Sequence, residues 1–410
     1  MATEGKHYDI CIVGAGPAGI MAAIYAARAE KQVVLLEKNA EIGRKILATG
    51  NGRCNISNTN ITIDRYHGES VSFAEPILTG FHTTEFFESL GVLLKEEDRG
   101  RLFPRTDQAT TVVDALKAEL TRLNVHIFTN FTVKKLETGW EITSENHDVI
   151  TANKLILTTG GKAAHALGSS GDGLFWARNW GHNILPIHAA LVAIEAEETW
   201  LKDIMGIRLA TTATLFADGQ QVDSRKGDVL FTHYGISGPA AMGLAREVDP
   251  LLLEGKKVEI SVDLAPDLTA ETLDDTIAKL ASADGKKQVK SILTGLIAKN
   301  LVPQVLALSL INVETKAAEL SRNARQAIIC TIKDFRLTIK KVRPLKEAQV
   351  TAGGIDTTEV AKNLESKIVP NLYFAGEILD IDGDSGGFNL QWAWASGKVA
   401  GEAAARVIND

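Results

Sequence analysis

Three side chains of this 410-residue chain are of types that move protons in enzymes and stand in unusual surroundings: Cys54, His233 and Tyr234. Cys54 lies in LATGNGRCNISN, residues 47–58, where glycines, asparagines and an arginine leave little that can fill a core. Such a run is either a plain surface loop or a stretch whose backbone lies against something flat or charged. A thiol there could protonate a carbon; the plainer reading is a small residue packed beneath a bound group. His233 and Tyr234 precede Gly235 in FTHYGISGPAAM, with Ser237 expected as the N-cap of a helix entered at Pro239. Either could donate a proton, although a lone histidine at a strand end is usually structural. No His, Cys and carboxylate residues stand at metal-ligand spacing, and no metal is expected.

The elements that would position this chemistry begin at once. Ile10–Val13 is a short apolar run suited to a strand buried on both faces. Gly14-Ala15-Gly16-Pro17-Ala18-Gly19 follows, then an alanine-rich helix and the second apolar run QVVLLE, which makes a β-α-β unit. In this setting the first glycine allows the tight turn and the second lets a pyrophosphate approach the backbone. The third lets helix and strand pack closely. The helix N-terminus offers free N–H groups and partial positive charge to phosphate. Glu37, with Lys38 after it, ends the second strand where an acid accepts hydrogen bonds from ribose hydroxyls. Cys11, inside the first strand, reads as inert packing.

The later glycine-rich elements favour FAD over NAD. NVHIFTNFTVKKLETGWEITSE reads as short strands with turns at Thr129-Asn130 and Thr138-Gly139, and NKLILTTGGKA runs from a strand into Thr159-Gly160-Gly161. Two-nucleotide FAD domains return in this way to the fingerprint, with adenine against the backbone of a residue such as Val133. Near the C-terminus a strand, Leu372–Ala375, leads to Gly376-Glu377, and the loop Asp380–Phe388 leads to a helix from about Asn389. An acid of this segment, Glu377 or Asp382, would meet the ribityl chain. The helix start, Gly387-Phe388-Asn389-Leu390, would aim its positive end at the flavin N1/O2 edge. The stretch around Cys54 then reads as a cofactor cradle. Arg44 and Lys45 would meet the pyrophosphate, Thr49-Gly50-Asn51-Gly52 would let the backbone pass under the ring and ribityl parts, and Asn51, Arg53 and Asn55 would offer donors.

Composition narrows the rest. A hydrophobic fraction of 45% and a charged fraction of 23% are ordinary for a soluble protein. A net charge of −7 argues against dedicated non-specific nucleic-acid binding. The three cysteines, Cys11, Cys54 and Cys330, form no C-x-x-C pair, which removes dithiol redox chemistry and suits a reducing cytoplasm. The start carries no signal-peptide pattern, and no apolar run is long enough to span a bilayer.

The motifs VGAGPAG, EIGRKILATGNGRCNISN, SSGDG, LFTHYGISGP, AQVTAGGI and LYFAGEILDIDGDSGGFNLQWAWASG, in this order, resemble the BaiN/YhiN-like NAD(P)/FAD-dependent oxidoreductases over about residues 9–401. The resemblance implies an α/β fold: a two-dinucleotide-type FAD-binding Rossmann domain with an inserted β-barrel-like domain and a small helical bundle. The expected boundaries are 1–189 with 347–410 for the FAD domain, 190–266 with 332–346 for the barrel, and 267–331 for the helical insert. It implies one of three activities. These are reduction of a conjugated C=C bond in a steroid-like acid, oxidation of a small amino-ketone, and reduction of a uridine in ribosomal RNA. A small-molecule substrate is expected first. With one dinucleotide fingerprint, NADH or NADPH would visit only transiently, or oxygen would take its place. The run KDFRLTIKKVRPLKE, with Lys333, Arg336, Lys340, Lys341, Arg343 and Lys346, reads as a solvated strand face or as an RNA-facing patch.

Overall fold

The computed structural model describes residues 6–406. They divide into two compact units, one from the N-terminal part to His188 together with Leu345 onward, the other Ala189–Pro344.

In the first unit, seven strands among the described residues form one sheet: β1 (Lys6–Val13), β2 (Val33–Leu36), β3 (His126–Phe128), β4 (Val133–Glu137), β5 (Glu141–Ser144), β6 (Val149–Leu157) and β7 (Leu372–Phe374). The order β3-β2-β1-β6 is parallel throughout. One side of β6 pairs with β1; the other pairs first with the antiparallel β5, over Val149–Thr151, and then with the parallel β7, over Leu155–Leu157. Cys11, Ile12, Val34, Leu35, Leu155 and Ile156 are fully buried, as central parallel strands require. The first helix, Pro17–Arg28, lies against the closing helix, Phe388–Ala405. A Cβ at Gly397 would stand 2.4 Å from Ala18 O, and one at Gly401 2.4 Å from Ala22 O. Two glycines one turn apart therefore let the helices touch backbone to backbone and fix where the closing helix begins. Trp392 and Trp394 are core residues, with their indole N–H groups donating to Gly376 O and Ile56 O.

The second unit contains a closed six-stranded barrel among the described residues, antiparallel in every pairing. Around it the order is Ile194–Ala196, Gly235–Ser237, Gln220–Phe231, Arg208–Ala217, Val258–Val262 and Phe335–Val342. Helices Ala270–Ala283, Val289–Leu293, Val302–Leu308 and Arg322–Lys333 occupy the chain between its last two strands. Ser237 is not the N-cap expected of it. The cap is Gly238, at φ 91°, where a Cβ would lie 2.4 Å from Asp228 O, and Ser237 ends the preceding strand. Lys340 and Lys341 are both exposed because the register slips by one residue opposite Glu195 and Ala196, a bulge that breaks the alternation.

Candidate functional site

The turn after β1 separates the jobs of its three glycines. Gly14 has φ 104°, and a Cβ there would stand 2.7 Å from Thr158 O. A Cβ at Gly19 would stand 1.9 Å from Gly14 O. Both glycines are demanded by the protein's own packing. Gly16 is different: nothing lies within 4 Å of the place its Cβ would take, and its φ is −77°. Nothing inside the protein requires glycine there, and the free space would admit a ligand brought against the backbone. The N–H groups of the first helical turn, including those of Ala18 and Gly19, have no intrahelical partner and face that space from the helix end that carries positive potential. Pro17, at the first helical position, removes a donor that the helix could not use.

Glu37 is buried at the end of β2. Its Oε2 accepts from Ala15 N–H at 2.9 Å, and its Oε1 from the Asn39 backbone N–H at 2.9 Å and from Asn39 Nδ2 at 2.6 Å. A carboxylate accepts about four hydrogen bonds, which leaves room on Oε2 for a hydroxyl. Phe131 N–H donates to Glu37 O and Asn130 N–H to Asn39 O, both at 2.9 Å, so the chain leading to Val133 runs beside this acid. The GSSGDG loop also closes here, through Lys38 Nζ to Asp172 Oδ2 at 3.1 Å. Arg44 Nη1 donates to Asn39 Oδ1 at 2.7 Å.

Thr159, Gly160 and Gly161 follow β6. A Cβ at Gly14 would be 3.1 Å from Thr159 Cα, and Thr159 Oγ1 is buried without a hydrogen-bond partner. Gly161 lies so close to Thr351 that its Cβ would be 2.3 Å from Thr351 Oγ1. Gly376 is held on both sides by the closing helix: its N–H donates to Ser396 Oγ at 3.0 Å and its carbonyl accepts from Trp392 Nε1 at 3.1 Å. Glu377, next in line, pairs with Lys45 Nζ at 2.5 Å and accepts from Thr351 N–H at 2.9 Å. Lys45 and Glu377 therefore form one charge-balanced unit beside Gly160.

The stretch around Cys54 has two halves. Gly50, Asn51 and Gly52 are exposed and left-handed, with φ near 58°, 56° and 82°, after Thr49, whose Oγ1 donates to Ile46 O. The other half grips the closing helix. With its amide oxygen turned toward the helix, Asn55 accepts from Gly387 N–H and donates to Ser57 O, each at 3.1 Å. Asn58 Nδ2 donates to Gly386 O at 3.0 Å, and Ser57 Oγ to Gln391 Oε1 at 2.7 Å. Thr83 also donates to Gln391 Oε1, and Gln391 Nε2 donates to Phe81 O at 3.3 Å. Asn389 holds the preceding loop from both ends of its amide, through Gly383 N–H at 2.9 Å and Gly383 O at 2.7 Å. Phe388, Leu390 and Asp382 are buried around this start.

Several expected donors are already engaged. The Arg53 guanidinium is held by Asp107 and Glu97 and lies 4.2 Å over the Phe103 ring. The Asn55 amide is taken by the helix cap. Cys54 is fully buried, and burial pushes its thiol up to about 12, against a smaller opposing effect of the Thr49 hydroxyl. Such a thiol is a poor acid at neutral pH. Burial also raises the Cys11 thiol, in β1. In the second unit, His233 is exposed and Tyr234 half-buried, their rings edge to face at 4.9 Å, with Arg343 over the tyrosine. Sequence reasoning missed Ser57, Thr83 and Gln391. Gln391 carried a signal, as a polar residue in the apolar run FNLQWAWA; Ser57 and Thr83 lie in polar stretches, and their shared partner is hundreds of positions away. Among the described residues no cluster could hold a metal ion, and no helix is long and apolar enough to cross a membrane.

Over residues 8–403 the chain matches the HI0933-like protein Rossmann domain. It is 38% identical over 405 residues to a 3-dehydro-bile acid delta(4,6)-reductase of Clostridium scindens, covering 97% of this chain and 98% of that one. It is 32% identical over 399 residues to a ribosomal RNA dihydrouridine synthase of Escherichia coli, covering 95% and 96%. Among solved structures, the Sdh1 complex of Mycobacterium smegmatis in the apo form aligns with a TM-score of 0.50 at 16% identity, over 98% of this chain and 68% of that one, a likeness of fold. The open approach at Gly16 and the hydroxyl acceptor on Glu37 suit a dinucleotide, and the chain belongs to the HI0933-like Rossmann family of FAD-dependent oxidoreductases.

Proposed function

We propose that the protein reduces a carbon–carbon double bond conjugated to a carbonyl in a small steroid-like acid, with NADH or NADPH as a transient electron donor. The near full-length similarity to the bile-acid reductase carries this reading. When bound, FAD supplies hydride transfer. The chain's own residues have separate tasks. Backbone N–H groups at Gly16, Ala18 and Gly19 take the pyrophosphate, and Glu37 takes a ribose hydroxyl. The backbone at Val133 lies under the adenine, and the Thr159–Gly161 turn and the Lys45–Glu377 pair line the middle of the cofactor. Gly50–Gly52 lie along the ring, and the start of the closing helix, Gly387–Leu390, turns its positive end toward developing negative charge. Asn55, Ser57 and Gln391 keep that helix start in place.

Cys54 belongs to packing in this account, since a buried, high-pKa thiol neither reaches a substrate nor gives up a proton readily. His233 and Tyr234 stand as candidate proton donors, to be tested by His233→Ala and Tyr234→Phe. The relatives named as ribosomal RNA dihydrouridine synthases favour a second reading, uridine reduction in RNA. The basic run weighs against it. Lys333 pairs with Asp263, Arg336 with Asp334 and Glu259, and Lys341 and Arg343 with Glu195, so much of its charge is balanced within the second unit.

Anaerobic mixing with NADH or NADPH should bleach the flavin band, and a 3-oxo-4,6-diene bile acid should then restore it while losing its own diene absorbance. Absence of bleaching removes the nicotinamide. Bleaching by a small amine or amino-ketone in place of the nicotinamide, with recovery by oxygen, points to an amine oxidase, and recovery of the nicotinamide-reduced flavin with a ribosomal RNA fragment alone to the RNA enzyme.

A further inference from the structure

Beside the start of the closing helix lies a histidine–carboxylate pair that none of the roles above uses. The two-residue strand Tyr66–His67 pairs antiparallel with Asp382–Gly383, and His67 Nε2 meets Asp384 Oδ1 at 3.0 Å. Arg65 Nη1 reaches the other oxygen of that carboxylate, Oδ2, at 3.3 Å. The backbone fixes the arrangement: Asp384 N–H donates to Arg65 O at 2.9 Å, and Tyr66 Oη donates to Phe388 O, in the first helical residue, at 3.1 Å. Asn389 holds Gly383 from the helix side, and Asp380 Oδ2 accepts from Glu69 N–H at 2.7 Å. The His67 side chain is 22% exposed and that of Asp384 11%. That is sheltered enough for a fixed geometry and open enough to meet a ligand. His67 Nδ1 makes no hydrogen bond among the described residues.

We propose that His67, rather than His233 or Tyr234, is the proton donor of the reaction and Asp384 its positioning residue; the inference rests on the C=C reductase reading given above. A carboxylate on one imidazole nitrogen orients the ring and occupies that nitrogen, which leaves the other nitrogen to deliver a proton. Arg65 holds the carboxylate from its far side. Charged groups near the pair include Asp64 and Glu69 on its own segment and Asp380 and Asp382 on the facing loop. Saturation of a conjugated double bond adds a hydride to the carbon β to the carbonyl and a proton to the α carbon. The hydride comes from the reduced cofactor, which is oxidised by two electrons. The proton leaves His67 Nδ1, and the neutral imidazole is reprotonated by water.

The test combines footprinting with kinetics. Acylation of His67 by diethyl pyrocarbonate, read by mass spectrometry, is compared in FAD-stripped protein, holoprotein, and holoprotein with a 3-oxo-4,6-diene bile acid. The expected result is stepwise protection across the three; equal rates overturn the placement of His67 at the site. In the holoenzyme, His67→Gln should lower kcat for the diene about 100-fold or more while flavin reduction by NAD(P)H keeps its rate. Asp384→Asn should lower kcat with KM and FAD content unchanged. Wild-type protein that turns over the diene while His67→Gln matches it overturns the dyad. Wild-type protein that ignores the diene overturns the proposed substrate instead, and the footprint still decides where His67 lies.

Discussion

Two glycine-rich turns, Gly14–Gly19 after the first strand and Gly383–Gly387 before the closing helix, use glycine for opposite reasons. At the first, Gly16 has a common backbone conformation and empty space where a side chain would stand. At the second, every glycine answers to the protein itself. A Cβ at Gly383 would meet Phe388 Cβ at 2.7 Å, one at Gly386 the Phe388 ring at 3.3 Å, and one at Gly387 Ser57 O at 2.3 Å. The first turn leaves open space beside its backbone, whereas the second is closed by the protein's own packing. A glycine motif read as letters does not distinguish these cases; the neighbours of the absent side chain do.

The largest effect is expected at the second turn. Gly387→Ala puts a Cβ on a residue with φ 100° and against Ser57 O, and chemical denaturation should record a loss of about 2–4 kcal/mol. Loss below about 0.5 kcal/mol would mean that the turn is not built by close approach. Gln391→Leu comes next. It leaves the hydroxyls of Ser57 and Thr83 without their shared acceptor, at about 1–3 kcal/mol for a buried orphaned group, and the loosened helix start should shift the flavin midpoint potential downward. An unchanged potential would detach this network from the cofactor. A smaller effect concerns the first helix, whose far end is tied down by Glu119. Hydrogen bonds from Arg122 and then Arg28 hold its carboxyl down at about 2, below the ordinary 4.5. The stabilisation is complete above the ordinary carboxylate value and is lost as pH falls from there toward about 2. Glu119→Gln should be less stable than wild type at pH 7, with the difference closing in that acid window; a gap that persists through it would refute the ion-pair account. The smallest change is expected for Cys54→Ala, in which kcat should stay at the wild-type value.

Much of the first turn was legible from residues alone. An apolar run, a glycine triplet, an alanine-rich helix and an acid at the end of the next strand lie within one β-α-β unit, and their partners are neighbours in the chain. The strand at residues 335–342 was legible for a similar reason, since Phe335, Leu337 and Ile339 alternate with polar positions. What stayed hidden depends on distant partners. Arg53 looked available to a cofactor because Glu97 and Asp107 are far from it in sequence. The basic run looked unbalanced because Glu195 and Glu259 approach it only when the barrel closes. His67 carried no motif at all, and it gains meaning only when residues 382–384 pair beside it.

FAD binding to Gly16→Val separates a fingerprint glycine reserved for FAD from one required by the fold. The account predicts a variant that unfolds like the FAD-free wild type, within about 0.5 kcal/mol, yet is purified colourless and binds added FAD at least about 10-fold more weakly, or ~1.4 kcal/mol. A folded Gly16→Val protein that retains FAD with wild-type affinity would contradict it.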